Sequence, residues 1–108
     1  MTPILDTEIL HERVGSEKLL RASELLRAAA HPVRLDILDA LGQHARLCNR
    51  ELEAILGIEQ AIISQHLTLM RDKGLLDCAK EGKYTFWQLK RPEFMRIVGC
   101  LEKCCDNL

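Results

Sequence analysis

The stretch NRELEAILGIEQAIISQHLTLMR, from Asn49 to Arg71, decides the fold. Apolar residues recur in it three or four positions apart in two series, the spacing of one buried face on each of two helices. The series are Leu52, Ile55 and Leu56, and then Ile58, Ile62, Ile63, Leu67 and Met70. Gly57 separates them, and glycine ends helices because it tolerates the left-handed conformation. This predicts either a helix-turn-helix, whose second helix enters the DNA major groove, or an ordinary helical hairpin.

The second helix carries a polar face beside its apolar one. Its members are small, or they donate and accept hydrogen bonds in ways that suit base edges and phosphates. They are Gln60, Ala61, Ser64, Gln65, Thr68 and Arg71. We expect Ser64, Gln65 and Thr68 to face the major groove, with Gln60 and Ala61 at the helix start. His66 lies in the same helix and is expected either to contact DNA or to pack locally.

A hairpin pattern follows Gly74 in the segment LLDCAKEGKYTFWQL. Tyr84, Phe86 and Leu89 form an alternating apolar series after a glycine-containing turn, which predicts two antiparallel strands. Lysines flank that turn at positions 80 and 83. A helix-turn-helix followed by a basic-tipped hairpin predicts a mainly α winged helix. Lys80 and Lys83 are then expected to contact phosphate or the minor groove.

The segments before this motif read as helices. Residues 1–15 suit a short amphipathic helix broken at Gly15, and Ser16 is a favourable N-cap for a helix over residues 17–30. Pro32 suits the first turn of the next helix, which Gly42 is expected to end. Residues 43–47 are expected to form a loop.

The last predicted helix runs from about Pro92 to Asp106. Its apolar residues fall on one stripe at three- and four-residue steps. They are Phe94, Ile97, Val98, Leu101, Cys105 and Leu108. So long an apolar face on a small domain needs a partner. We expect a second copy of the chain, packed through the first and last helices across a two-fold axis.

Composition limits the function classes. The chain has 108 residues, 47% of them hydrophobic and 29% charged, which indicates one globular domain. It contains no apolar run of about 18 residues and no signal-peptide pattern, so we expect it in the cytoplasm. The net charge of −1 alone argues against nucleic-acid binding. The segment 64–91, however, carries six cations against three acids.

Cysteines are mostly reduced in the cytoplasm, so the five of this chain suggest metal or redox chemistry rather than a disulfide framework. Cys100 and Cys104 lie one helical turn apart and can converge on one ligand, with Cys105 nearer the expected interface. Cys48 occupies the cap position of a capping box with Glu51, where a helix N-terminus favours thiolate. The alternatives are small hydrophobic residues in a dimer seam and, for Cys48, a half-buried residue without a role.

Other function classes have weaker support. The sequence contains no Cys-x-x-Cys motif, evident acid–base pair or glycine-rich phosphate loop, so an enzyme such as a small reductase is disfavoured. A DNA-independent interaction module stays open. The four histidines lack a second ligand at metal-binding spacing.

Three segments resemble the ArsR/SmtB family of bacterial winged-helix repressors. They are HPVRLDILDAL (31–41), ISQHLTLMRDKGLL (63–76) and EGKYTFWQL (81–89). The resemblance implies a homodimer whose chain has four helices, a two-stranded hairpin and a fifth helix. It also implies operator binding that is relieved when a metal, a metalloid, or a reactive sulfur or oxygen species is sensed.

The departures from the family pattern reduce the number of inducer classes that the resemblance supports. Members that sense arsenic or cadmium often carry two cysteines where this chain has Cys48 and Arg50. Zinc sensors place Asp and His pairs on the last helix, which has no histidine here. Persulfide sensors have a cysteine near the position of Asp39. Cys100, Cys104 and Cys105 resemble the C-terminal clusters that bind trivalent arsenic in other members. The resemblance thus favours As(III), Sb(III) or another thiophilic ion as inducer, with thiol oxidation or persulfidation as the alternative.

Overall fold

A computed structural model describes residues 3–108. Within that range, six α-helices and three β-strands follow one another. They are α1 (Leu10–Val14), α2 (Ser16–Ala29), α3 (Pro32–Gln43), β1 (Leu47–Cys48), α4 (Asn49–Leu56), α5 (Gln60–Asp72), β2 (Leu76–Glu81), β3 (Tyr84–Leu89) and α6 (Met95–Cys105). Short 3-10 turns occupy Ile4–Asp6 and Pro92–Phe94. The predicted winged-helix architecture is confirmed, with one additional strand.

The helix-turn-helix is formed by α4 and α5. Gly57 ends α4 with φ 65° and ψ 30°, the left-handed conformation that the sequence predicted. The apolar series of the two helices meet in the hydrophobic core, where Leu52, Ile63 and Leu67 have no exposed surface. Ile55 and Ile62 depart from the prediction, since 51% and 42% of their surfaces are exposed. Burial of this shared face orients α5 and leaves its polar face outside.

The sheet contains a strand that the sequence did not predict. Leu47 and Cys48, expected at the end of a loop and in a cap, form β1 and pair antiparallel with β3. Leu47 lies opposite Trp87, and the strand order is β1-β3-β2. Two residues cannot show a strand period, and the partner strand lies about forty residues further along the chain. Local pattern alone therefore could not reveal this pairing.

The wing is the hairpin of β2 and β3, which pair from Leu76 opposite Leu89 to Glu81 opposite Tyr84. Its two-residue turn is Gly82-Lys83, and Gly82 has φ 61°. The buried side chain of β3 is Trp87, whereas Tyr84 and Phe86 are only half-buried. The fully buried contribution of β3 to the core is therefore Trp87, which is not a member of the alternating series that predicted the hairpin.

Helix α3 lies at the centre of the domain. It begins with Pro32 in its first turn, as predicted, and His31 caps it by accepting the Val33 amide on Nδ1 at 3.1 Å. The prediction that Gly42 ends the helix is wrong, because α3 continues to Gln43. Gly42 instead leaves room for the side chain of Met95, the first residue of α6, because a Cβ at position 42 would overlap it.

The two ends of the chain leave apolar surface uncovered. The predicted N-terminal helix over residues 1–15 is a 3-10 turn followed by α1, and Met1 and Thr2 lie outside the described residues. Ser16 is the first residue of α2 rather than its cap, which is Gly15. The inner end of α6 packs on α3, while Leu101 is 39% exposed and Leu108 almost fully exposed. In the described part of the chain, no helix has the length and apolar character needed to cross a membrane.

Candidate nucleic-acid interface and thiol sites

The outer face of α5 presents the residues that the sequence selected. At about 100° per residue, Ala61, Gln65 and Thr68 lie on the side opposite the buried Ile63 and Leu67. All three are exposed, as is Gln60 at the start of the helix. Ser64 is half-buried at the edge of this face. The helix thus offers hydrogen-bonding side chains without a bulky residue among them, which is the composition that readout of base edges requires.

Asn49 connects α5 to the wing. Its Oδ1 accepts the Trp87 indole N–H at 2.7 Å, and its Nδ2 donates to the Ser64 hydroxyl at 3.3 Å. Trp87 is 4% exposed, so its indole nitrogen needs a protein acceptor. One side chain at the start of α4 therefore fixes β3 and α5 relative to each other. Sequence analysis did not identify this role, since Asn49 reads as an ordinary residue of the first helical turn.

His66 lies away from the outer face of α5. Its Nδ1 accepts Arg34 Nε at 3.2 Å, and its ring packs on that of His31 with 4.6 Å between centroids. Burial, followed by the charges of His31 and Arg34, lowers the pKa of His66 below its ordinary value. Of the two roles expected for His66, the structure supports local packing. At about 100° per residue, position 66 points roughly opposite to Ser64 and Thr68.

An ion pair links the wing to the loop before β1. Arg46 donates two hydrogen bonds to the Glu81 carboxylate, at 2.9 and 2.5 Å, and its guanidinium lies 3.8 Å from the centroid of the Phe86 ring. The hydrogen bonds from Arg46 lower the pKa of Glu81. They also neutralise the carboxylate at the wing tip, so Lys80 and Lys83 dominate the charge there.

A groove separates the wing from the helix-turn-helix. Its walls are Asn49, Arg50, Gln60, Lys83, Tyr84 and Thr85. Arg50 Nη1 lies 3.5 Å from the Tyr84 hydroxyl, which spans the groove at one point. The start of α5 and the tip of the wing thus border one continuous basic and polar surface. Arg50 and Tyr84 belong to it, although the sequence did not single them out for DNA contact.

The basic segment 64–91 is divided between two places in the fold. Lys80 and Lys83 are on the wing near its tip, whereas Lys73, Lys90 and Arg91 line a cavity beside α2. Arg71 hydrogen-bonds Asp72 at 3.1–3.2 Å, so its charge is compensated locally. The hairpin thus separates the cations into one group near its tip and another at its base. The assignment of the whole segment to DNA stays a prediction.

The chain was compared with known families and proteins. The family described as bacterial regulatory protein, arsR family, matches residues 31–77. The regulator YgaV of Escherichia coli (strain K12) is 32% identical over 96 residues, which cover 89% of this chain and 94% of YgaV. The biofilm growth-associated repressor of Agrobacterium fabrum is 37% identical over 84 residues, 75% of this chain and 71% of that protein. The chain belongs to the ArsR family of bacterial regulatory proteins.

Structural comparison agrees with this assignment. Reduced HlyU from Vibrio cholerae N16961 has a TM-score of 0.73 and 32% identity, covering 88% of this chain and 97% of HlyU. The predicted family is thus confirmed, and its members are transcriptional regulators rather than enzymes. Over residues 3–108 this ArsR-family chain has six α-helices, one more than the five that the resemblance implies.

Cys48 lies apart from the other predicted thiols of this ArsR-family chain. It belongs to β1 and is buried, with 6% of its surface exposed. The predicted capping box is present, and Glu51 accepts the Cys48 amide at 2.9 Å. This hydrogen bond lowers the pKa of Glu51. Because β1 pairs with β3 while α6 packs on α3, the fold does not bring Cys48 to the C-terminal cysteines.

Cys100, Cys104 and Cys105 lie on the last two turns of α6 and are all exposed. Across residues 3–108, no three side chains of Cys, His, Asp or Glu converge closely enough to hold a metal ion. A site with three sulfurs is therefore not assembled within one chain. Cys100 and Cys104 share a helix face at the four-residue spacing, and Cys105 is turned about 100° from Cys104.

Proposed function

We propose that this ArsR-family protein is a homodimeric repressor that binds operator DNA through α5 and the wing. The observation that carries the proposal is the exposed face of α5, with Gln65 and Thr68 at its centre and Gln60 beside the wing groove. The lysines of the wing would contact the phosphates that flank the bases read by α5. The Agrobacterium relative is named a repressor, which supports repression as the outcome of binding. We expect it to act in the cytoplasm.

A dimer would cover the apolar surface that one chain leaves exposed. Leu20 and Leu26 on α2 are each about half exposed, and Leu101 on α6 is 39% exposed. Exposed apolar residues on two helices at the ends of the chain favour association with a second copy. Two copies would present two α5 helices, as two-fold symmetric operators require.

The test of DNA binding is a gel-shift titration with the DNA upstream of the protein's own gene. Gln65→Ala should weaken specific binding by about 1–3 kcal/mol if its amide contacts a base edge. Gln43→Ala is the matched control, since Gln43 is an exposed glutamine at the end of α3. Absence of salt-dependent binding to any fragment, or equal losses in both variants, would contradict the proposed interface.

For induction, we propose that thiols of α6 respond to a thiophilic ion, with trivalent arsenic or antimony as the leading candidate. Cys100 and Cys104 are exposed and lie about 6 Å apart at Cβ by their helical spacing. That separation suits two sulfurs on one large soft ion. The third sulfur would come from a cysteine of the second copy, because the described residues of one chain do not bring three ligands together.

Oxidation of the same thiols is the second candidate, favoured by their exposure to solvent. Peroxide would take two electrons from two thiols, giving one disulfide and two waters. A disulfide needs Cβ atoms about 3.5–4.5 Å apart, closer than the helical spacing allows. A bridge between Cys100 and Cys104 would therefore unwind the last turns of α6 and disturb the dimer surface.

The deciding experiment is release of operator DNA from wild type and from a Cys100→Ser/Cys104→Ser variant. Arsenite, cadmium, peroxide and a persulfide donor would each be titrated. Cys78→Ser is the control, since Cys78 lies on β2 outside α6. We expect the double variant to keep its DNA with the inducer that releases wild type, and Cys78→Ser to respond normally. If the double variant still responds to every active inducer, the α6 cysteines are not the sensor.

A further inference from the structure

A cation-lined cavity lies on the side of the domain away from the wing tip. It has a volume of about 400 Å³ and is formed by α2, the residues after α5 and the residues after β3. Five cations and one acid contribute to its wall. They are Lys18, Arg21, Lys73, Lys90 and Arg91, with Glu24. A cavity of this volume accommodates a small molecule.

Most of these cations have no ion-pair partner among residues 3–108. Among the described residues, no carboxylate lies within ion-pair distance of Lys18, Arg21, Lys73 or Lys90. Arg91 has only a contact with the exposed Glu93, at 4.0 Å. Its Nε atom is buried without a hydrogen-bond acceptor, alone among the buried side-chain nitrogens and oxygens of residues 3–108. The unpaired charges of Lys18, Arg21 and Lys73, with that of Lys90, therefore make the wall of the cavity electropositive.

The backbone around the cavity is fixed rather than adjustable. Gly74 has φ 92° and continues directly from the end of α5. The Leu75 amide donates to the Met70 carbonyl at 2.8 Å, and the Lys90 amide donates to the Leu75 carbonyl at 3.0 Å. These bonds join the segments that carry Lys73 and Lys90. The fold therefore sets the backbone positions from which Lys73 and Lys90 extend to the cavity.

The cavity is too far from the DNA-binding face to be part of it. Lys90 follows β3, and six residues of strand separate this end from the wing turn, or about 20 Å. Lys73 follows the last residue of α5, a helix of 13 residues, about 20 Å from its first turn. At about 100° per residue, the exposed Leu20 and Leu26 lie roughly 80–160° around α2 from Lys18 and Arg21.

We propose that this cavity binds a small polyanion, a metabolite with at least two phosphate or carboxylate groups. Lysine and arginine from three segments surround the ligand, and arginine forms the strongest hydrogen bonds with such groups. The ligand would connect α2 to the ends of α5 and β3, and so to both DNA-contacting elements. This inference goes beyond thiol sensing and does not depend on it.

The test is an NMR titration of the full chain with pyrophosphate and with citrate at constant ionic strength. We expect saturable shifts in the amides of Gly74, Lys90 and Arg91 with at least one probe, and the stronger probe identifies the ligand class. Arg21→Gln should weaken that binding at least about tenfold, the loss expected for one charge-assisted hydrogen bond. Arg27→Gln is the matched control on the same helix, because Arg27 lies outside the cavity. Lys18→Gln provides a second cavity variant if Arg21→Gln alters folding.

Several outcomes would overturn the proposal. The absence of saturable shifts with both probes would overturn it. Equal losses of binding in Arg27→Gln and Arg21→Gln would also overturn it, because they would indicate general attraction to positive charge. Competition of pyrophosphate with operator DNA, together with weaker DNA binding by Arg21→Gln, would show that the cavity contacts DNA instead. Failure of DNA binding in wild type affects only the repressor proposal, since the anion titration needs no DNA.

Discussion

Replacement of Asn49 by alanine tests the connection between the wing and the recognition helix. The substitution removes the acceptor of the Trp87 indole N–H, a 2.7 Å hydrogen bond from a residue that is 4% exposed. A buried donor left without an acceptor costs about 1–3 kcal/mol. The 3.3 Å bond to Ser64 lies nearer the surface, where water can replace it, and adds little. We therefore expect Asn49→Ala to lower the free energy of unfolding by about 2 kcal/mol.

Two companion variants separate the parts of this effect. Asn49→Asp keeps an acceptor for Trp87 and loses only the donor to Ser64, so it should cost about 0.5 kcal/mol or less. Trp87→Phe removes the donor, so Asn49→Ala should lower the free energy of unfolding by less in that variant than in wild type. The double-mutant cycle between positions 49 and 87 is expected to show a coupling of at least about 1 kcal/mol, as for directly bonded groups.

The assay is urea unfolding at one fixed protein concentration, because the stability of a dimer depends on concentration. With a slope of about 1–3 kcal/mol per molar urea, a loss of 2 kcal/mol moves the midpoint by roughly 1 M. A loss below about 0.5 kcal/mol for Asn49→Ala, or the same loss with and without the indole N–H, would refute the reasoning.

Three further perturbations have defined outcomes. Leu101→Glu should dissociate the proposed dimer in sedimentation equilibrium, because it places two unpaired charges in the seam at a cost of several kcal/mol; an unchanged mass would contradict the seam. His66 has a lowered pKa in the folded state, so stability should fall as pH drops below about 6.5, where the unfolded chain binds the proton first, and level off below the folded pKa. His66→Gln should flatten this part of the pH profile, and a profile identical to wild type would exclude His66 as its source. Lys83→Gln should weaken binding to all DNA sequences alike and reduce the salt slope by about one for each subunit, whereas a sequence-dependent loss would show that Lys83 reads bases.

Local pattern was sufficient for the elements whose physics is local. The apolar spacing around Leu52 and Leu67, the left-handed glycine at position 57 and Pro32 at the start of α3 act within one or two helical turns. The wing was predictable for the same reason, since its strands are neighbours joined by a two-residue turn. The polar residues of α5 followed from its buried face, because fixing one side of a helix determines the other.

Tertiary structure decided the contacts between residues distant in sequence. Three contacts join positions more than thirty residues apart. They are the pairing of β1 with β3, the ion pair between Arg46 and Glu81, and the hydrogen bond from Trp87 to Asn49. Local periodicity contains no information about such partners. The cations show this difference most clearly. The folded hairpin places some cations of one basic segment at the wing tip and others around a separate cavity. The cavity depends on three segments meeting, which a one-dimensional pattern cannot specify.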